Sequence, residues 1–206
     1  MRPGVPFGFL EFLMTLPSAF DLQSFPVARD FITRTREAFV AQYLREGDVV
    51  CDIGNQGKDI PELKAFRVVT LDITPDTNPD VVADITRHNP HLADGQFDAL
   101  MCTEVLEHVV DPFAAVRELR RILKVGGHLL VTTPLNARIH GPIPDCWRFT
   151  EFGLKVLFRD FETVSLEKLN TPDRNLFPLE YGLVLRRHRE GLDESDPREM
   201  RFQPVD

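Results

Sequence analysis

The stretch "FDALMCTEVLEHVVDPFAAVRELRRILKVGGHLLVTTP", residues 97–134, changes its hydrophobic period twice without interruption. Residues 97–103 form a short apolar run with no polar alternation, as expected of a strand covered on both faces. "DPFAAVRELRRILKVGG" then places Phe113, Val116, Leu119, Ile122 and Leu123 on one helical face. Asp111 and Pro112 supply the start signals of that helix and Gly126-Gly127 its stop. A second apolar run at 128–133 completes strand, helix, strand. That order predicts a parallel pair joined by a right-handed crossover.

The same alternation extends in both directions. Upstream, residues 49–53, 68–73 and 81–85 are further apolar, β-branched runs. Before them, "PVARDFITRTREAFVAQYL" (26–44) sets Phe31, Ile32, Ala38, Phe39 and Tyr43 at near-helical spacing, and "REGD" ends it. Downstream, Thr150 caps a helix in "TEFGLKVLFRDF", and the strand-like "FETVSLEKL" and "YGLVLRRH" follow. The expected fold class is α/β: a mostly parallel sheet with helices on both faces, trimmed because the connections after Ile73 and Ile85 are short. No repeat or Gly/Ser linker divides the chain. Residues 1–46 are expected as an apolar segment and helix that pack on the core or cover a site, 47–188 as the core, and 189–206 as a charged tail.

With 206 residues, 43% hydrophobic and 27% charged, the chain fits one ordinary globular domain. Its net charge of −8 argues against a nucleic-acid partner, which requires a basic field. Cys51, Cys102 and Cys146 are widely spaced in apolar contexts and point to a reducing cytoplasm, with neither a disulfide framework nor a zinc site. "FGFLEFLMTLPSA" (7–19) is interrupted by Glu11 and preceded only by Arg2, unlike a secretory signal, and is too short to span a bilayer. A cytoplasmic protein without a membrane partner is expected, its apolar N-terminal segment serving as a lid or as a homodimer contact.

Ligands of open α/β sheets bind beyond the C-terminal ends of the strands, where strand order reverses. The first strand ends in Asp52-Ile53-Gly54, within "VVCDIGNQGKDI". Glycine at that turn lets a ligand approach the backbone closely. The second strand carries Asp72, eighteen residues after Gly54, where an acid accepts hydrogen bonds from both ribose hydroxyls. Together they favour an adenosine-bearing cofactor over simple turn chemistry. A nicotinamide dinucleotide fits poorly, because the tight three-glycine turn and a second nucleotide half are missing.

"VVCDIGNQG", "VVTLDI", "VVADI", the 97–134 block and "DCWRFTEFGLKVLF" occur in an order and spacing similar to class I S-adenosylmethionine-dependent methyltransferases. The subgroup it resembles carries "EVLEHV", "LKPGG", "TTP" and a later "WRFT". The likeness covers about residues 49–166. It departs at Gln56 and Lys58, where small residues are usual, and at Val125, where proline is common. The resemblance implies a single Rossmann-like domain with a seven-stranded sheet and S-adenosylmethionine as cofactor. It implies methionine-end contacts for Asp52 and Gly54, with Gln56 offering an amide there. Asp72 would serve the ribose, with Ile73 a further cofactor contact, Asp84 and Ile85 the adenine, and Cys102 and Thr103 the space under the sulfonium.

Methyl transfer to a hydroxyl also needs a base or a metal. "TEVLEH" offers Glu104, Glu107 and His108, two carboxylates and an imidazole able to hold Mg²⁺ or another divalent cation. Similar segments are metal sites in the small-RNA 2′-O-methyltransferases and some ubiquinone-pathway O-methyltransferases. In many other class I enzymes the Glu-His pair orders the loop without a metal, and both readings stay open. "NARIHGPIPDCWRFT" brings His140, which with His108 is the catalytic-base candidate because an imidazole titrates near neutral pH. Asp145, Trp147 and Arg148 are the substrate-binding candidates. Trp147 and Phe149 can equally anchor the loop to the core. The expected activity is methyl transfer to a small-molecule acceptor, a hydroxyl of a sugar or secondary metabolite. The alternative, motivated by Gln56 and Lys58, is a non-catalytic module of the same fold that binds a protein partner.

Overall fold

The computed structural model describes residues 17–58 and 60–188. The apolar segment before Pro17 and the tail after His188 lie outside the described residues. Among the described residues no helix is long and apolar enough to cross a membrane.

Seven strands form one sheet: β1 (Val49–Ile53), β2 (Arg67–Asp72), β3 (Val81–Val82), β4 (Phe97–Thr103), β5 (Leu123–Pro134), β6 (Phe161–Thr171) and β7 (Arg174–Arg187). Their order across the sheet is β3-β2-β1-β4-β5-β7-β6. The first five run parallel, and β7 lies antiparallel to both β5 and β6. Strand order reverses between β1 and β4, so the C-terminal ends of β1, β2 and β4 open onto one crevice. The predicted trimming is visible there. A single 3₁₀ turn, Pro61–Leu63, joins β1 to β2, and another, Pro75–Thr77, joins β2 to β3. β3 itself has only two paired residues, fewer than the run at 81–85 implies, because Asp84 turns the chain at once by accepting from Thr86 N and Oγ1.

Among the described residues three α-helices flank the sheet: α1 (Ala19–Tyr43), α2 (Pro112–Ile122) and α3 (Glu151–Leu157). α1 begins upstream of Pro26. Ser18 and Asp21 form a reciprocal capping box that fixes the start, and the helix runs through the proline. α2 starts as expected: the Asp111 carboxylate accepts from Ala114 N, and Pro112 occupies the first turn. Its buried face differs by one position from the predicted stripe. Phe113 is exposed, while Ala115 and Glu118 are buried. Glu118 has a reason to be inside, since it accepts from Asn89 N and Nδ2 and pairs with Arg121 at 2.7 Å. That network clamps the helix-free 84–96 connection onto α2.

β5 starts at Leu123, directly after α2, earlier than the glycine pair predicts. Gly127 is a close-approach glycine rather than a helix stop: a Cβ there would lie 2.6 Å from Asp98 O on β4. One core cluster centres on Cys51, Leu100, Cys102, Leu119 and Leu129. A second joins Phe39 and Leu44 to Val50, Met101, Leu130 and Val184. α1 is therefore part of the core. Truncating a fully buried side chain such as Leu119 or Phe39 to alanine would cost ~2–5 kcal/mol.

Candidate active site

Two cavities open along the C-terminal strand ends. The smaller, about 200 Å³, is walled by Leu71, Asp72, Ile73, Ala83 and Ile85. The larger, about 510 Å³, lies between α1, residues 134–141 and the start of the buried run on β7. They share Gly54, Gln56, Glu104 and His108, so a ligand filling one reaches the edge of the other.

The turn after β1 builds the junction. Gly54 has φ +68°, and a Cβ there would sit 2.6 Å from Val105 Cγ2. Gln56 adopts φ 55°, so the left-handed turn is kept despite the side chain. Asp52 is buried beneath, with Oδ1 lacking any partner. Burial pushes its carboxyl up to about 6, against weaker lowering by Asn55 and by the Arg36 charge. Asp72 is likewise buried: Oδ1 accepts from Thr74 N, and Oδ2 is unpartnered. A buried acceptor without a donor awaits one. The Asp72 orphan faces the smaller cavity and matches a ribose hydroxyl, whereas Asp52 lines neither cavity and lies behind the turn.

The other predicted cofactor contacts divide. Ile73, Asp84 and Ile85 line the smaller cavity, although the Asp84 carboxylate already caps its own turn and pairs with Arg87 at 3.2 Å. Thr103 lines the larger cavity. Cys102 lines neither, being fully buried in the core with its thiol pushed up by burial.

The turn after β4 gathers the acids and imidazoles. Glu104 sits at φ 57° and accepts from Thr132 Oγ1 at 2.9 Å. Glu107 is fully buried, and neither carboxylate oxygen has a hydrogen-bond partner. His108 Nδ1 donates to Pro144 O at 3.0 Å, which leaves Nε2 facing Glu107 Oε1 at 3.7 Å. His140 Nδ1 lies 3.2 Å from Arg138 O and 3.4 Å from Asp145 Oδ2, and its Nε2 is 3.9 Å from the same Glu107 oxygen. Burial and the Glu104 charge hold the Glu107 carboxyl well above the usual range. Burial lowers His108 below its ordinary value.

This donor set fits a cation. One atom each of Glu107, His108 and His140 lie within 4.8 Å of one another. Both rings commit Nδ1 to backbone carbonyls, the usual way an Nε2 ligand is oriented. Two imidazoles also shift the preference from Mg²⁺ toward a first-row transition cation. His140, absent from the predicted metal set, completes it, whereas Glu104 stands beside it.

Asp145, Trp147 and Arg148 line neither cavity, in contrast to their expected role as substrate contacts. Arg148 forks onto Asp145 at 2.5 and 2.7 Å and also donates to Arg138 O. Trp147 Nε1 donates to Val109 O, and its ring stacks on Phe149. Their hydrogen-bonding capacity is spent on folding residues 134–149 over the site. Cys146 N and Trp147 N both donate to Glu107 O, tying that segment to the turn after β4.

Residues 49–131 match the family profile described as "Methyltransferase domain". The fold is that of the class I methyltransferases. The chain is 40% identical over 76 residues to the ubiquinone biosynthesis O-methyltransferase of Xanthomonas campestris, covering 35% of this chain and only 30% of that relative's length. A SAM-dependent methyltransferase of Methanosarcina mazei shares its fold with TM-score 0.58 at 21% identity, over 74% of this chain and 98% of the other. The 1,6-didemethyltoxoflavin-N1-methyltransferase of Burkholderia thailandensis, solved with 1,6-didemethyltoxoflavin and S-adenosylhomocysteine, superposes with TM-score 0.56 at 15% identity over 91% and 92%.

One acid that lines the larger cavity escaped the sequence reading. Glu180, on β7, is 2% exposed, lines the larger cavity and leaves Oε1 without a partner. Burial and the Glu104 charge hold its carboxyl well above the usual range. Its signal was present: a lone acid within "FPLEYGLVL", an otherwise apolar strand, has to be paired or functional.

Proposed function

We propose that this methyltransferase domain transfers a methyl group from S-adenosylmethionine to a hydroxyl of a small-molecule acceptor. The observation that carries the proposal is the junction of the two cavities. The orphaned acid Asp72 stands on one side with Asp52 buried behind the turn, and a base cluster faces the acceptor space on the other. The O-methyltransferase name of the Xanthomonas campestris relative supports a hydroxyl acceptor.

The sulfonium methyl is already activated, so the chain has to align the acceptor and remove its proton. Asp72 Oδ2 receives the ribose hydroxyls, Asp52 receives the amine of the methionine end, and Ile73 and Ile85 cover the adenine. Gly54 keeps the turn close enough for backbone contact. The acceptor lies in the larger cavity with its hydroxyl at Glu104, His108 and His140. In the chain itself, proton uptake falls to His140 Nε2, because Nδ1 is directed at Arg138 O and Asp145. Asp145, locked by Arg148, stabilises the imidazolium that results. Glu107, His108 and His140 would alternatively hold a divalent cation, which when bound supplies charge that acidifies an acceptor hydroxyl.

The strained Gln56 favours a second reading, a module of this fold that binds a partner and does not turn over. Titration calorimetry with S-adenosylmethionine and S-adenosylhomocysteine, followed by incubation with a hydroxylated acceptor library and mass spectrometry, separates the two. Micromolar binding and a methylated product support the enzyme. Absence of cofactor binding supports the module.

A further inference from the structure

The larger cavity carries charges that methyl transfer to a neutral acceptor does not use. Its floor holds Glu104, Glu180 and the imidazoles, but its wall and rim hold Arg29, Arg36, Arg138 and Lys58. This gathering of cations stands out in a chain of net charge −8. Arg36 belongs to the cofactor end, since its charge reaches Asp52 and it pairs with Glu62 at 3.4 Å.

The other cations have at most one long ion pair among the described residues. Arg138 has a side chain only 19% exposed, and its nearest acid is Asp21 at 3.9 Å. Asp21 Oδ2 is shared with the helix cap, accepting from Ser18 N at 2.7 Å and Ser18 Oγ at 2.8 Å. The Arg138 guanidinium therefore keeps unused donors in a half-enclosed place, which is costly unless an anion supplies acceptors. Arg29 and Lys58 form no ion pair among the described residues. On α1, Asp21, Phe25, Arg29 and Arg36 follow a helical repeat along the face that walls the cavity. Phe25 and Ile32 give that face an apolar surface between the charges.

We infer that the larger cavity is an acceptor site for an anionic substrate, a hydroxylated small molecule bearing a carboxylate or phosphate. The anion lies between Arg29 and Arg138, with Lys58 at the rim, the apolar body rests on Phe25 and Ile32, and the hydroxyl points to the Glu104–His140 floor. The inference rests on the proposed methyl transfer for the position of the hydroxyl. The anion site itself depends only on the cavity.

The test uses the full chain and its Arg29→Gln/Arg138→Gln double variant, each checked by thermal unfolding. S-adenosylhomocysteine is titrated first, then three probes of similar size: 3-hydroxybenzoate, 3-hydroxyphenyl phosphate and the neutral 3-hydroxybenzyl alcohol. At least one anionic probe is expected to bind tenfold or more tightly than the alcohol, and the carboxylate and phosphate arms tell which anion is preferred. The double variant should lose that preference while its S-adenosylhomocysteine affinity stays within twofold. Equal binding of charged and neutral probes, no binding of either anion at millimolar concentration, or a preference that survives in the variant would each overturn the inference. Should S-adenosylhomocysteine fail to bind, the methyl-transfer proposal falls, while the anion preference is still read on the unliganded chain.

Discussion

The smaller cavity is walled by strand ends of the parallel half of the sheet, whereas the larger one borrows α1, the 134–141 segment and the antiparallel β7. In the first, most of the walls are apolar, and the acid with an unpartnered oxygen is Asp72. In the second, buried carboxylates, imidazoles and arginines crowd together, several without partners. The contrast separates a site held by sheet geometry from a site assembled by loops. The former should fail through shape and the latter through charge.

The largest effect should come from breaking the shape at the junction. Gly54→Val adds a side chain where even a Cβ meets Val105 Cγ2 at 2.6 Å, in a left-handed turn that a β-branched residue avoids. Cofactor binding should vanish from calorimetry. A variant that binds normally would show that the turn does not shape the cofactor cavity.

A charge-side lesion should behave differently. His140→Ala is expected to lower kcat by roughly 10²–10⁴-fold, the usual contribution of a positioned base, with S-adenosylhomocysteine affinity unchanged. An unchanged kcat removes His140 from the mechanism.

Much of the smaller cavity could be read from the chain alone, because its residues sit at fixed offsets from apolar runs. Asp52, Gly54 and Asp72 are placed by strand ends that period and length already mark. The larger cavity could not be read in this way. Glu180 is defined by the antiparallel insertion of β7 beside β5, a pairing that no local pattern announces. Trp147 and Arg148 looked like ligand contacts because their chemistry suits both roles, and only their partners, Val109 O and Asp145, decide between them. Phe113 misled the helix reading because Glu118 takes an inward position that hydrophobic spacing assigns to apolar residues.

Asp52 allows shape and charge to be separated by pH. Its folded-state pKa is raised from 3.8 to about 6. A raised value contributes stability that is fully present below the unfolded pKa and is lost as pH rises through the folded one. In the unliganded chain Asp52 is therefore a liability above about pH 6. Asp52→Asn should raise stability at neutral pH by roughly 3 kcal/mol at most, with little gain near pH 4. The same variant should lose cofactor affinity, because the amine loses its carboxylate. Denaturant unfolding at several pH values checks the first effect, and calorimetry checks the second. A variant no more stable than the parent at pH 8 would contradict the burial cost.

The smallest expected effect concerns Gln56. Releasing its left-handed conformation by Gln56→Gly should stabilise the fold by ~1 kcal/mol in chemical denaturation. Tighter cofactor binding in this variant would mark Gln56 as a handicap, and weaker binding would make it a contact.

The central claim is that an adenosine-bearing sulfonium cofactor occupies the smaller cavity and reaches the junction. Calorimetric titration of S-adenosylhomocysteine into the parent chain and into Asp72→Ala tests it most directly. One-to-one micromolar binding by the parent, weakened at least tenfold in Asp72→Ala, is the predicted result. No heat with the parent, or equal binding by both proteins, would contradict the account.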